Sequence, residues 1–349
     1  MAKGEKTGPQ KYTKRIPANK DEPANENISY SYKEALVHKI CNLSPFLPKT
    51  YNVEIKDEGT QLIIEMEKME TQLKNPSTDN KIKAWKNILQ AVALLNFFGI
   101  AHRDIKDENI LYRDGEEAVL IDFGLSKALL GGFHTPKIVS DFYRAPELDT
   151  DLNVQKYGFE VDSWSLGIWA LELWNVKFDS LKYVPIWKIA NGFGRNLSEE
   201  RIAKAQLQIR EYLENVPKKI QNVVESFLLP GDRRKTALDW VKIDSSKFLF
   251  SFPENWSCPP IPSEYAEWSI GYKSIYWSIQ RYFSQDKNAS IQNTKIYEAY
   301  TIWACSLLLF PFEVDIVDLA RTYGSTETII YSKVLEWFIS WKVLSKKDM

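Results

Sequence analysis

The 349 residues, 44% hydrophobic and 13% aromatic, have the composition of a packed globular protein rather than a disordered one. The formal charge of -1 supplies no global basic field, so nucleic acid is not an expected partner. Cys41, Cys258 and Cys305 lie far apart without metal-ligand spacing, no apolar run has membrane-span length, and the start lacks a signal-peptide core; a soluble, reduced, intracellular protein, cytoplasmic or nuclear, is expected.

In chain order, residues 1–28 are polar and read as a flexible arm with one strand around Tyr12–Ile16. Tyr30–Leu43 carries Leu36, Val37, Ile40 and Leu43 at helical spacing. Two strand-like runs follow, Thr50–Ile55 and Thr60–Met66, joined by the turn-rich Lys56-Asp57-Glu58-Gly59. Asn75-Pro76-Ser77 breaks the chain before a long apolar helix predicted over Ile82–Phe98. Short strands are expected around Ile110–Tyr112 and Val119–Ile121, and helices dominate from about Val161 to Val241. Four prolines in Pro253–Pro262 mark a linker, and Tyr265–Trp341 is aromatic-rich with helical period.

The chemistry-bearing residues concentrate between His102 and Glu147. His102-Arg103-Asp104-Ile105-Lys106-Asp107-Glu108-Asn109 is followed by Asp122-Phe123-Gly124, then Tyr143-Arg144-Ala145-Pro146-Glu147, then Asp162-Ser163-Trp164-Ser165-Leu166-Gly167. Either of the first two triplets alone would be an ordinary loop. All four in this order, at these distances, resemble the eukaryotic serine/threonine protein kinases over about residues 10–250.

That resemblance implies an α+β, bilobal fold: a reduced small β lobe, a large helical lobe, and an added all-helical C-terminal module. The expected boundaries are 1–66 for a truncated N-lobe, 67–252 for the C-lobe, 253–264 for the linker and 265–349 for the module. It also implies roles, with ATP and Mg2+ as cofactors. Asp104 would accept the substrate hydroxyl proton, Lys106 would neutralise the transferring phosphate, and Asn109 and Asp122 would hold the metal. Glu34 stands as the helix glutamate that pairs with a strand lysine. Glu65-Met66-Glu67 resembles the adenine-contacting hinge behind gatekeeper Ile64, and Leu111 joins Glu65 and Met66 in nucleotide contact. Glu147 and Arg234 resemble a buried ion pair of the large lobe.

The nearest likeness is to the cyclin-dependent branch, which implies a proline-directed preference for protein substrates. Thr135 falls at the activating phosphothreonine of that branch, and Ser140 at a hydroxyl that braces the catalytic Asp and Lys. Lys33, Arg103 and Lys127 align with the cations that clamp the phosphate; the alternative is three unrelated surface cations.

Two departures leave readings open. No G-x-G-x-x-G precedes the expected strand lysine, since only Gly4 and Gly8 precede Gly59. Lys14, 20 residues before Glu34, is the candidate for that lysine, against a solvated Lys in a basic arm. The chain is therefore read as an active kinase transferring the ATP γ-phosphate, or as a pseudokinase scaffold acting through a bound protein. The second departure is the tail: Ile275–Ser284, Tyr300–Leu309, Ile316–Ala320 and Val334–Phe338 resemble cyclin-box helices, or else form an unrelated bundle. An activating or scaffold protein is expected at the helix around Glu34 unless this module serves there; no membrane partner is expected.

Overall fold

The computed structural model of the chain describes residues 11–17, 34–35, 37–38, 41–56, 61–98, 100–128, 143–148, 157–174, 199–231 and 233–243. Lys33, Thr135, Ser140, the Pro-rich linker and the C-terminal module lie outside them. In chain order the elements are β1 (Lys11–Pro17), β2 (Thr50–Lys56), β3 (Gln61–Glu67), α1 (Thr78–Phe97), β4 (Ile100–Ala101), β5 (Ile110–Arg113), β6 (Glu117–Leu120), β7 (Lys127–Ala128), α2 (Glu160–Leu173), α3 (Glu199–Leu213), α4 (Lys218–Phe227) and α5 (Ala237–Trp240). The fold is α+β. No described helix is long and apolar enough to cross a membrane. The chain divides into two compact units, Met1–Ala91 with Glu108–Gly124, and Val92–Asp107 with Leu125–Met349.

The first unit holds an antiparallel sheet ordered β1-β3-β2. Leu62, Ile63, Ile64 and Met66 make the central β3 nearly all buried, as expected of a strand flanked on both edges and covered on both faces. Lys14 stands opposite Ile64 in the β1–β3 register, and the β2–β3 register shifts between Thr50 and Asn52. Helical positions between 34 and 41 bury Glu34, Ala35, Val37, His38 and Cys41.

The β5–β6 hairpin closes on Asp114 (φ 54°) and Gly115 (φ 73°), the left-handed pair that a tight hairpin requires, with the Glu116 N–H donating to the Arg113 carbonyl at 3.0 Å. Arg113 is the knot of this unit. It donates through Nε to Glu67 Oε2 (2.8 Å) and through Nη2 to Glu67 Oε1 (2.6 Å), while Nη1 reaches the Pro45 carbonyl and Glu117. The Leu120 N–H donates to the Phe46 carbonyl at 3.1 Å and fixes the hairpin's other strand to the same loop.

Helix α1 begins at Thr78, four residues before the apolar run that predicted it. The reason is a cap: Ser77 Oγ accepts the Asn80 N–H at 3.3 Å, so the polar turn before Ile82 is already helical. Buried Ile82, Trp85, Leu89 and Val92 then follow at helical spacing.

In the second unit α2 is buried continuously from Val161 to Leu171 and packs on α4, which also packs on α3. Gly167 permits that approach, because a Cβ there would lie 2.9 Å from Leu228 Cδ2. The two-residue strands β4 and β7, which the sequence reading did not anticipate, pair Ile100 with Ala128 and Ala101 with Lys127. The Glu147–Arg234 ion pair forms: Arg234 Nη1 lies 2.5 Å from Glu147 Oε1 and Nη2 lies 3.3 Å from Oε2. Arg234 also donates to the Leu229 and Glu160 carbonyls and lies 4.9 Å over the Trp164 ring.

Arg234 has a fully buried side chain, so removing it leaves Glu147 and two carbonyls without their donor. Arg234→Ala is expected to lower stability by about 3–5 kcal/mol in urea unfolding. A loss under about 1 kcal/mol would show that the pair does not brace this unit.

Candidate functional site

In the first unit the site is built around one ammonium group. Lys14, on β1, places Nζ 2.8 Å from Glu34 Oε1 and 2.7 Å from Asp122 Oδ1. Burial pulls the Lys14 ammonium down, but the Glu34 charge and the bonds to both carboxylates outweigh it and leave its pKa raised. Burial pushes the Glu34 carboxyl up in spite of Lys14. Asp122 has φ 62°, a left-handed conformation that a β-carbon normally disfavours and that Asp tolerates better than most residues.

Asn109 closes a 3-10 turn, Asp107–Asn109, and is buried. Its carbonyl accepts the Ile121 N–H at 2.9 Å, so the open end of the β5–β6 hairpin holds Asn109 beside the segment that carries Asp122. Both offer hard oxygen donors of the kind magnesium takes. Among the described residues no three His, Cys, Asp or Glu side chains converge as a metal cage. Asn109 and Asp122 could contribute two oxygen ligands to such an ion.

His38, one helical turn beyond Glu34, was not singled out in the sequence, although the i, i+4 spacing is there to read. Its Nδ1 lies 3.0 Å from Thr50 Oγ1, its Nε2 lies 4.0 Å from Glu34 Oε1, and its ring meets Phe123 edge-on at 5.1 Å. Burial, and then the Lys14 charge, lower its pKa to about 3 against the opposing pull of Asp122. The hinge candidates lie on β3, with Met66 buried and Glu65 half-exposed 3.7 Å from Lys11 Nζ. Glu67, read with them, instead turns its carboxylate to Arg113 and the Lys49 N–H. Leu111 is half-buried opposite Val119.

In the second unit Asp104 is buried, and its Oδ2 lies 2.8 Å from Lys106 Nζ. The backbone around it is fixed by Asp162, whose two oxygens accept the His102 N–H (2.7 Å) and the Arg103 N–H (2.8 Å). Burial pushes the Asp162 carboxyl up, against the pull of His102 and these two amides. The Asp104 N–H donates to His102 Nδ1 at 3.2 Å. Arg103, at φ 64°, donates through Nε to the Leu125 carbonyl (2.8 Å) and through Nη1 to the Tyr157 hydroxyl (2.9 Å). Of the phosphate-clamp candidates, Lys127 lies on β7, whereas Lys33 and Thr135 are outside the described residues.

The family model described as protein kinase domain matches residues 2–230. The chain is 37% identical over 97 residues to a probable cell division protein kinase of Encephalitozoon cuniculi, and that match covers 28% of this chain and 30% of the relative. Among solved structures, the yeast RNA Pol II CTD kinase CTDK-1 complex contains a chain with a TM-score of 0.49 and 20% identity, covering 65% of this chain and 82% of that one.

The buried imidazole makes an acid-sensitivity test. His38 is neutral when folded and titrates near 6.5 when unfolded, so its contribution is fully present above pH 6.5 and is lost as pH falls towards 3. The charged groups that face it are Lys14, Asp122 and Glu34. Between pH 6.5 and 4.5 the loss is about 2–3 kcal/mol, at about 1.4 kcal/mol per unit. Unfolding measured against pH should show this component in the wild type and not in His38→Leu; parallel profiles would remove the assignment.

Proposed function

The chain belongs to the protein kinase family, and from that premise we propose that it transfers the γ-phosphoryl group of ATP to serine or threonine hydroxyls of proteins. The observation that carries this is Lys14, held 2.8 Å from Glu34 and 2.7 Å from Asp122 although no glycine-rich loop stands before it. A lysine in a solvated arm would have no reason to meet two carboxylates separated from it by 20 and 108 residues.

Phosphoryl transfer needs little covalent chemistry, so the residues act by position and charge. Asp104 orients the attacking hydroxyl and takes its proton. Lys106, 2.8 Å from that carboxylate, offers a cation to the transferring group. Lys14, steadied by Glu34, meets the nucleotide phosphates. Asn109 and Asp122 would hold magnesium, which when bound would supply positive charge to neutralise the phosphates. Backbone groups at Glu65 and Met66 receive the adenine, with Leu111 as an apolar contact.

The likeness to a cell division protein kinase and the Tyr143–Glu147 run support a place in the cyclin-dependent branch, with proline-directed substrates and a protein activator at the helix around Glu34, unless the C-terminal module serves there. Thr135, with Lys33, Arg103 and Lys127, is the proposed phosphorylation switch.

Asp104→Asn and Asp122→Asn should each lower magnesium-dependent transfer to a protein substrate by about a hundredfold or more, the first by losing the base and the second a metal ligand. Wild-type transfer no greater than that of Asp122→Asn, with candidate activators supplied, sinks the enzyme reading. Under activating conditions Thr135→Ala should lower activity, and mass spectrometry of the wild type should place phosphate on Thr135; equal activity of the two proteins removes the switch.

A further inference from the structure

We propose that Tyr157 is a positioning residue for the transfer loop, its hydroxyl holding the Arg103 guanidinium and, through it, the backbone that presents Asp104. The kinetic part of the proposal rests on the kinase reading above; the structural part stands on the geometry alone.

Arg103 is a buried cation, 5% exposed, and such a group is tolerated only when its donors are met. Its described side-chain partners are two neutral oxygens, the Leu125 carbonyl at 2.8 Å and the Tyr157 hydroxyl at 2.9 Å. Its backbone sits at φ 64°, a conformation that costs a non-glycine residue free energy and persists only where the surroundings over-determine it. The fastenings are the Arg103 N–H on Asp162, Nε on Leu125 and Nη1 on Tyr157.

Tyr157 and Asp162 belong to one short stretch that enters α2, so the same segment grips Arg103 twice, by side chain and by backbone. That stretch is itself closed: the Gly158 N–H donates to Glu160 Oε1 at 2.7 Å. Tyr157 is buried, and burial, outweighing the neighbouring Arg103 charge, raises its phenol pKa, so the hydroxyl stays protonated and neutral at ordinary pH. A neutral oxygen is a permanent partner for the guanidinium but a weaker one than a phosphate, which pairs charge with charge and can take two guanidinium N–H groups at once. Arg103 is therefore held before any loop phosphorylation, at a lower level than phosphate would supply. Tyr157 sets that basal level, and phosphorylation makes it dispensable.

The test compares full-length wild type with Tyr157→Phe, which keeps the ring and removes the hydroxyl. Each is assayed after phosphatase treatment and after phosphorylation to completion, followed by mass spectrometry. In the unphosphorylated form kcat should fall about tenfold, the effect of one lost hydrogen bond to a charged group, with KM for ATP changed less than twofold. In the phosphorylated form the fall should be twofold or less. Equal losses in both forms, or a lowered Tm with unchanged kcat, overturn the proposal. Amide exchange supplies a readout that needs no activity: the Arg103 N–H should exchange about tenfold faster in Tyr157→Phe, with residues 161–171 of α2 unaffected. Unchanged Arg103 exchange also overturns the proposal. A wild type without transfer defeats the kinase reading, while the exchange result still decides whether Tyr157 positions the loop.

Discussion

A carboxylate sealed from water at the start of α2 dictates the shape of the loop that carries Asp104. Asp162 is fully buried, and a buried carboxylate is tolerable only if donors surround it. The donors are the consecutive amides of His102 and Arg103, one to each oxygen of the carboxylate, and the backbone here turns to bring both to it. Arg103 accordingly adopts φ 64°, and the next amide, that of Asp104, points to His102 Nδ1. The position of Asp104 is thus a consequence of satisfying Asp162, and the 2.8 Å contact with Lys106 follows from where that leaves its side chain.

The first unit solves a different problem with similar means. Its described sheet has only three strands, and a small sheet buries limited apolar area. Ionic and polar clasps join elements that the sheet alone would not hold. Lys14 ties β1 to the helix around Glu34 and to Asp122, Arg113 ties β5 to Glu67 at the end of β3, and His38 ties that helix to Thr50 and Phe123. The buried members matter most. Exposed pairs such as Lys74–Glu70 contribute little in water, whereas a partner removed from buried Glu34 strands a carboxyl in a low-dielectric site.

Much of this was legible because local pattern and tertiary role coincide. β2, β3 and the β5–β6 hairpin announced themselves by strand-like apolar runs, whereas the left-handed Asp114-Gly115 turn was there to read and was not used. Asp104, Asn109 and Asp122 were read from short local motifs, but their settings in the structure come from distant residues, Asp162 for the loop of Asp104 and Lys14 for Asp122. The helix around Glu34 was legible for a less secure reason: its apolar spacing was read from Leu36, Val37, Ile40 and Leu43, while its buried positions include Glu34, His38 and Cys41. A face with a carboxylate and an imidazole carries no hydrophobic period, and only the fold explains why it points inward. β4 and β7 are too short for any period. The Arg103–Tyr157 and Glu67–Arg113 contacts join residues 54 and 46 positions apart, where spacing has no predictive content.

On the proposed reading the first unit would meet the phosphate charge with Lys14 and with a metal held by Asn109 and Asp122. Lys14 is already balanced between two carboxylates, so a nucleotide phosphate must compete with them for the ammonium. Asp122 is the partner better placed to yield: its side chain is 47% exposed against 6% for Glu34, and an incoming cation would compensate its carboxylate as Lys14 turned to the phosphate. On that reading the Lys14–Asp122 contact would be the one exchanged on nucleotide binding and the Lys14–Glu34 contact the one kept, since Glu34 is the buried partner.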